Sequence, residues 1–176
     1  YKAKCEEILL KYGDNEFTTS IVRPATVCGY SRRQRFDLVV NILTNHAFNN
    51  RKILVFGGEQ LRPNIHIKDM VNAYLLFLNT EKSKISNEIF NVGYHNHPIM
   101  ELASIVKKNI GQDVELVTTK TDDIRSYHIS SKKIFNKLKF KNIYGIEDAV
   151  LDLKHAFESN LFKDPLNNAQ YFNIKR

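Results

Sequence analysis

Cysteine is scarce in this chain. Two occur in 176 residues, Cys5 near a polar helix start and Cys28 in an apolar strand-to-loop segment, so neither a disulfide framework nor a zinc site is indicated and both thiols are expected reduced. No apolar run approaches the roughly 18 consecutive residues that span a bilayer, and the opening Tyr1-Lys2-Ala3-Lys4-Cys5-Glu6-Glu7 has no apolar signal-peptide core. These absences read as a cytoplasmic protein without a membrane partner. There is also no initiator Met, and a charged helical pattern begins at once, which reads as a fragment. No glycine-rich turn of the G-x-G-x-x-G kind occurs, and Gly57-Gly58 does not open a helix, so a nucleotide-binding turn, if there is one, is missing from these residues.

A long basic run is missing too. Lysine and arginine number 26 against 19 aspartates and glutamates, a net charge of +7, yet pairs such as Lys107-Lys108 and Lys132-Lys133 are scattered. The excess therefore describes a solvated surface and argues against a nucleic-acid partner. Of the histidines, His95 and His97 are close together but have no carboxylate or Cys at a recognisable ligand spacing, and no metal is expected.

What is present is an ordinary globular composition, 43% hydrophobic and 26% charged, in a chain of one-domain length. Strong helix formers over Lys2 to Tyr12 predict a helix with Ile8 and Leu9 on its apolar side, stopped by Gly13-Asp14-Asn15. Thr18 to Val22 is β-branched and predicts a buried strand ended by Arg23-Pro24. After a loop around Gly29 to Arg35, the spacing of Phe36, Val39, Val40, Leu43 and Ala47 predicts a helix with Asp37 near its start. Strands follow at Ile53 to Phe56 and Leu61 to Ile67, then a helix marked by Met70, Val71, Tyr74, Leu75 and Leu78, with Asp69 capping its N-terminus. Glu88 to Val92 and Asp113 to Thr118 read as strands, and the stripe Ile99, Leu102, Ala103, Val106, Ile110 as a helix between them. Ser130 caps a short helix bearing Ile134 and Leu138; Ile146, Ala149, Val150, Leu153 and Phe157 give the last helix, before a polar tail whose final residues, from Tyr171, carry no assignable role. Alternation of this kind predicts an α/β fold with a largely parallel sheet.

Several segments resemble one family in one order. Lys2 followed by Glu6-Glu7 resembles the helix of extended short-chain dehydrogenase/reductases (SDRs) that carries Tyr-x-x-x-Lys. Arg23-Pro24-Ala25-Thr26-Val27-Cys28-Gly29 resembles the Arg-Pro-x-Asn-x-Tyr-Gly turn, with Thr26 for Asn and Cys28 for Tyr. Arg35 to Asn41 resembles the start of a substrate-side helix. Arg62-Pro63-Asn64-Ile65-His66-Ile67-Lys68-Asp69 is similar to Arg-x-x-Ile/Val-His/Tyr-Val-x-Asp, the strongest of these signals. Glu88 to Gly93 resembles the Tyr/Phe-Asn-Val/Ile-Gly strand, and Asp123-Ile124-Arg125-Ser126-Tyr127 the Asp-x-Arg-x-Tyr segment. The matches run from residue 2 to about residue 157.

On that resemblance the chain is the C-terminal half of a Rossmann-like extended SDR of the nucleotide-sugar epimerase/dehydratase kind. Residues 1–30 would be the end of the Rossmann-like part with the active-site helix, and residues 31–176 mainly the substrate-binding region. The resemblance implies Lys2 as catalytic and cofactor-binding, Pro24 and Thr26 as further cofactor contacts, and Asn41, Arg62 and Arg125 as ligands of a nucleotide-diphosphate sugar. The implied cofactor is NAD, with NADP as the alternative, and a homodimer is expected through the helix containing Lys4 to Lys11. Arg suits the diphosphate because its planar fork stays charged and can pair two oxygens. The competing readings are an NAD(P)H-dependent nucleotide-sugar reductase and a non-catalytic regulatory protein of the same fold. A catalytic Tyr would precede residue 1 in this register, so the 176 residues alone are expected to be inactive, with an uncovered apolar surface that favours self-association.

Overall fold

The computed structural model describes residues 1–14, 16–122 and 125–173. Helix α1 (Lys2–Lys11) buries none of its residues, and leaves Ile8, Leu9 and Tyr12 exposed. Strand β1 (Ser20–Pro24) is closed by its proline, and after Ala25 the chain enters a second short strand, β2 (Thr26–Cys28). Helix α2 (Val39–Asn50) starts later than the spacing of Phe36 predicts. Phe36 and Asp37 stay outside it because Asp37 is tied to Arg35 and Leu38 is extended, while the Phe36 ring turns into an aromatic cluster.

Strand β3 (Lys52–Phe56) alternates strictly: Ile53 and Val55 are fully buried, while Lys52, Leu54 and Phe56 are exposed. Strand β4 (Leu61–His66) runs directly into helix α3 (Ile67–Leu78). A one-turn helix, α4 (Lys82–Ile85), precedes β5 (Glu88–Val92), and a three-residue strand, β6 (Asn96–Pro98), leads into α5 (Ile99–Ile110). The order closes with β7 (Glu115–Thr119), α6 (Lys132–Leu138), α7 (Ile146–Glu158) and a 3₁₀ turn at Ala169–Tyr171.

The strands form parallel pairs β1–β5, β2–β4 and β3–β7, with β6 antiparallel on the outer edge of β4. Two larger apolar cores result, beside the smaller cluster of Phe36, Leu153, Phe157 and Tyr171. One packs α2, α5 and α7 over the inner face of β3 through Val40, Leu43, Leu102, Val106 and Val150. The other packs α3 and α6 against β4 and β5 through Ile65, Met70, Phe77, Phe90 and Ile134.

Four expectations are corrected. Asp69 does not cap its own helix: the N-cap is His66, whose Nδ1 accepts from Lys68 N at 3.1 Å. The Asp69 carboxylate is instead fully buried and takes the backbone N–H groups of Ile143 and Tyr144. On α3, the buried residues are Asp69, Met70, Ala73 and Phe77, whereas Val71, Tyr74, Leu75 and Leu78 face outward, so of these apolar markers only Met70 is covered. The tail is not idle either: Tyr171 is buried against Phe36, and its carbonyl accepts from Phe36 N at 2.8 Å. At α6 the N-cap is Ser131, one residue after the predicted cap, and its hydroxyl accepts from Gly93 N.

Candidate active-site cleft

The chain changes sheets at Ala25. Pro24 is the last partner of β5, facing Val92, and Thr26 is the first partner of β4, facing Asn64. A cleft of about 750 Å³ opens beside this switch, lined by Thr26, by Asp37 to Val39, by Ile42, Leu43 and His46 of α2, by Ile53, Leu54 and Phe56 of β3, and by Arg62, Ile99 and Tyr127. The period of two in β3 explains one wall: the side chains that do not enter the core are presented outward, and two of them are apolar. A pocket of this size, largely apolar with few polar groups, suits a small organic ligand.

Arg62 is the cation of the cleft. Its Nη1 donates to Leu61 O at 2.9 Å and to Arg125 O at 2.6 Å, and its Cζ lies 5.2 Å from the centre of the Tyr127 ring. Segment 125–127 is itself laced to β4, with Leu61 N donating to Ser126 Oγ at 2.9 Å. Two carbonyls and a ring thus hold the guanidinium in place, and the two bonds from Nη1 use only part of its set of donors.

Asp37 is the anion. Its partial burial would raise the carboxyl pKa, but hydrogen bonds from Arg35 and from the Asn173 N–H outweigh that and hold it below the ordinary range. Asn41 stands behind the cleft, 3% exposed: its Oδ1 accepts from Gly29 N and its Nδ2 donates to Arg35 O, closing the 29–35 loop from both ends. Gly29 needs its glycine, at φ +98° with the His66 ring 3.1 Å from where a Cβ would sit.

Of the residues singled out in the sequence, Arg62 and Thr26 line the cleft together. Arg125 meets Arg62 through its backbone carbonyl, and its own side chain is exposed; Asp123 and Ile124 of the same motif lie outside the described residues. Lys2 and Pro24 are exposed and do not line the cleft. They belong to neighbouring elements, since Arg23 of β1 pairs bidentately with Glu6 of α1, its Nε 2.8 Å from Oε1. That pair lowers the Glu6 pKa, chiefly through the Arg23 hydrogen bond. Sequence reasoning missed Asp37, His46, Leu54, Phe56 and Tyr127 as cleft residues. The signal for Leu54 and Phe56 was available, because apolar residues on both faces of a strand mean that the second face also meets something. Among the described residues no group of His, Cys, Asp or Glu is arranged to hold a metal ion, and no helix is long and apolar enough to cross a membrane.

Comparison with known proteins bears on the fold and the family. The sequence model described as "NAD dependent epimerase/dehydratase family" matches residues 1–93. The chain is similar to the crystal structure of UDP-glucose 4-epimerase with UDP-glucose from Thermotoga maritima, at 25% identity and a TM-score of 0.76, over 92% of this chain and 53% of that one. The dTDP-glucose 4,6-dehydratase of Bacillus anthracis in complex with NAD matches at 18% identity and a TM-score of 0.76, over 94% and 53%. UDP-glucuronic acid 4-epimerase from Bacillus cereus, in complex with UDP-glucuronic acid and NAD, matches at 19% and 0.72, over 91% and 50%. The chain spans about half the length of each of these structures. With a family match over more than half its residues and strands and helices that superpose on solved members, this α/β chain belongs to the NAD dependent epimerase/dehydratase family.

Proposed function

We propose that the cleft binds a nucleotide-diphosphate sugar, and that the chain serves an NAD-dependent nucleotide-sugar epimerase or dehydratase. The observation that carries this reading is the convergence of Arg62, braced on two carbonyls and on Tyr127, with Thr26 in one apolar-walled cleft at the sheet switch. A diphosphate is the ligand part that a fixed guanidinium fork recognises best. Arg125, on the segment that Arg62 holds, is the second diphosphate ligand in this proposal. Asn41 contributes by fixing the loop that carries Asp37.

Lys2 and Pro24 make up the cofactor side of the proposal. The residues fit a limited share of a dinucleotide site: Lys2 has no ion-pair partner among the described residues, and Pro24 and Thr26 border the carboxyl end of β1, where ligands of parallel sheets bind. When bound, NAD supplies a hydride acceptor that takes and later returns the sugar's hydrogen; NADP is the alternative. The Lys2 ammonium would lower the pKa of an adjacent phenol from about 10 toward neutrality, making it a usable acid/base. Because the 176 residues contain no glycine-rich turn, they are expected to bind the sugar nucleotide without turning it over. A second copy would dock on α1, whose Ile8, Leu9 and Tyr12 are exposed; sedimentation of the chain against Ile8→Glu tests this.

The deciding experiment is calorimetric titration with UDP-, dTDP-, GDP- and CDP-sugars, with NAD as a separate ligand. One sugar nucleotide should bind, and Arg62→Ala or Arg125→Ala should weaken it about 10- to 100-fold, the loss of one charge-assisted contact. Absence of binding to the folded chain, or binding indifferent to both substitutions, would overturn the assignment.

A further inference from the structure

A second pocket, sharing no lining residue with the cleft, opens between residues 30–34 and the C-terminal segment, with a volume of about 400 Å³. Its apolar side is aromatic: Tyr30 and Tyr171 flank Phe162, with ring centres 5.8 and 5.9 Å away. Its polar side carries Arg32 and Arg33, and no acidic residue lines it.

The charge balance of the loop is uneven. Of its three arginines, Arg35 is neutralised by Asp37 at 2.9 Å, but Arg32 and Arg33 meet no carboxylate among the described residues. Two adjacent guanidiniums without a counter-charge repel each other, and an anion between them removes that repulsion. Arg33 is also held in place, its Nη1 donating to Gln170 O at 3.2 Å, and one carbonyl occupies only one of five guanidinium donors.

The loop beneath is fixed before any ligand arrives. Gln34 is 3% exposed; its Oε1 accepts from Ser31 N at 3.0 Å and its Nε2 donates to Gly29 O and Arg35 O. Phe36 N donates to Tyr171 O, joining the loop to the segment that forms the opposite wall. A preorganised site avoids much of the ordering cost of binding.

We propose that this pocket is a second ligand site, for a phosphorylated small molecule that carries a ring. A bare inorganic anion leaves most of the volume and the aromatic wall unused, whereas a ring on Tyr30 and Phe162 with its phosphate at Arg32 and Arg33 uses both. The site is independent of the cleft and of the ligand proposed for it.

Adenosine 5′-monophosphate is the probe. The chain contains no tryptophan, so Leu161→Trp, at an exposed lining position, places a single fluorescent reporter at the pocket. Saturable change in its emission is expected, weakened at least about tenfold by Arg32→Ala and by removal of the phosphate, as in adenosine, and left within about twofold by Arg62→Ala in the cleft. A thermal-shift titration of the unsubstituted chain should show the same dependence on Arg32, which guards against a reporter that perturbs the fold. No saturable response in either assay up to about 10 mM, equal binding of adenosine, indifference to Arg32→Ala, or a response lost in Arg62→Ala overturns the proposal.

Discussion

Replacing Asp69 tests how the cleft's supporting frame is held. The carboxylate is completely buried in the first turn of α3 and accepts from Ile143 N at 3.1 and 3.0 Å and from Tyr144 N at 3.0 Å, with Asn142 Nδ2 at the 3.5 Å limit. A net contribution of about 1.5–3 kcal/mol is typical of a hydrogen bond to a charged group. Two backbone donors at the lower end of that range give about 3 kcal/mol for Asp69→Ala. Asp69→Asn keeps one carbonyl oxygen that can occupy the Oδ2 position, which faces both donors, and should cost only about 1 kcal/mol. With a urea slope of about 2 kcal/mol/M, the midpoints followed by circular dichroism should fall by about 1.5 M and about 0.5 M respectively. Asn142→Ala should change little, since its bond is already at the geometric limit. An alanine cost below about 1 kcal/mol, or an asparagine cost equal to it, would refute the clamp.

The remaining predictions need less working. Cys5 is exposed while Cys28 is buried with its pKa pushed up to about 12, chiefly by burial, so a thiol reagent at pH 8 should label one cysteine rapidly and the second only on unfolding. Glu88 joins β5 to α6 through Lys133 and Lys137, whose hydrogen bonds, Lys133 first, depress its pKa to about 2. A folded pKa below the unfolded value near 4.3 means that its stabilisation is present above pH ~4.3 and disappears as pH falls toward 2. The stability gap between the unsubstituted chain and Glu88→Gln, read by denaturation at successive pH values, should therefore be constant above pH ~5 and close below it. Phe36, fully buried between Phe157 at 5.5 Å, Phe162 at 5.0 Å and Tyr171 at 5.2 Å, should cost about 4 kcal/mol as alanine, measured by the same urea titration.

Periodicity made most elements legible. The stripe Ile99, Leu102, Ala103, Val106, Ile110 is buried except for the half-buried Ile99, and Glu88 to Val92 is a strand over those same residues. Strands β2 and β6, three residues each, were not legible, because so short a run has no period to detect. For α3 the period was right but its face was ambiguous: a helix with apolar residues nearly all round gives no angle to choose by, and the tertiary contacts chose Met70, Ala73 and Phe77. Long-range partnerships escaped most completely. Nothing local to Asp69 announces residues 142–144, and nothing local to Tyr171 announces Phe36. At the site, the motif spacing brought Arg62 into view because its neighbours in sequence carry the pattern, whereas His46 and Phe56 enter the cleft through the packing of α2 over β3, which no short motif records.

The buried polar residues explain why loops can bear this cleft. A segment outside the sheets has backbone donors and acceptors that no ladder satisfies, and their burial is tolerated only when side chains take them over. Asn41 takes Gly29 N and Arg35 O, Gln34 takes Ser31 N, Gly29 O and Arg35 O, and Asp69 takes the two amides ahead of α7. His66 completes the set at the β4–α3 junction: Nδ1 accepts from Lys68 N, so its proton sits on Nε2, 3.3 Å from Asp152 Oδ2, and burial lowers its pKa and keeps the ring neutral. Asn41, Gln34 and Asp69 resemble catalytic residues in type, yet their polar atoms are committed to backbone, whereas His66 Nε2 faces Asp152 and Arg62 lines the cleft itself. The distinction between a residue that shapes the cleft and one that meets a ligand thus lies in where its polar atoms are already committed. By that measure Arg62 is the cation proposed to meet a ligand, and Asn41 belongs to the cleft's framework.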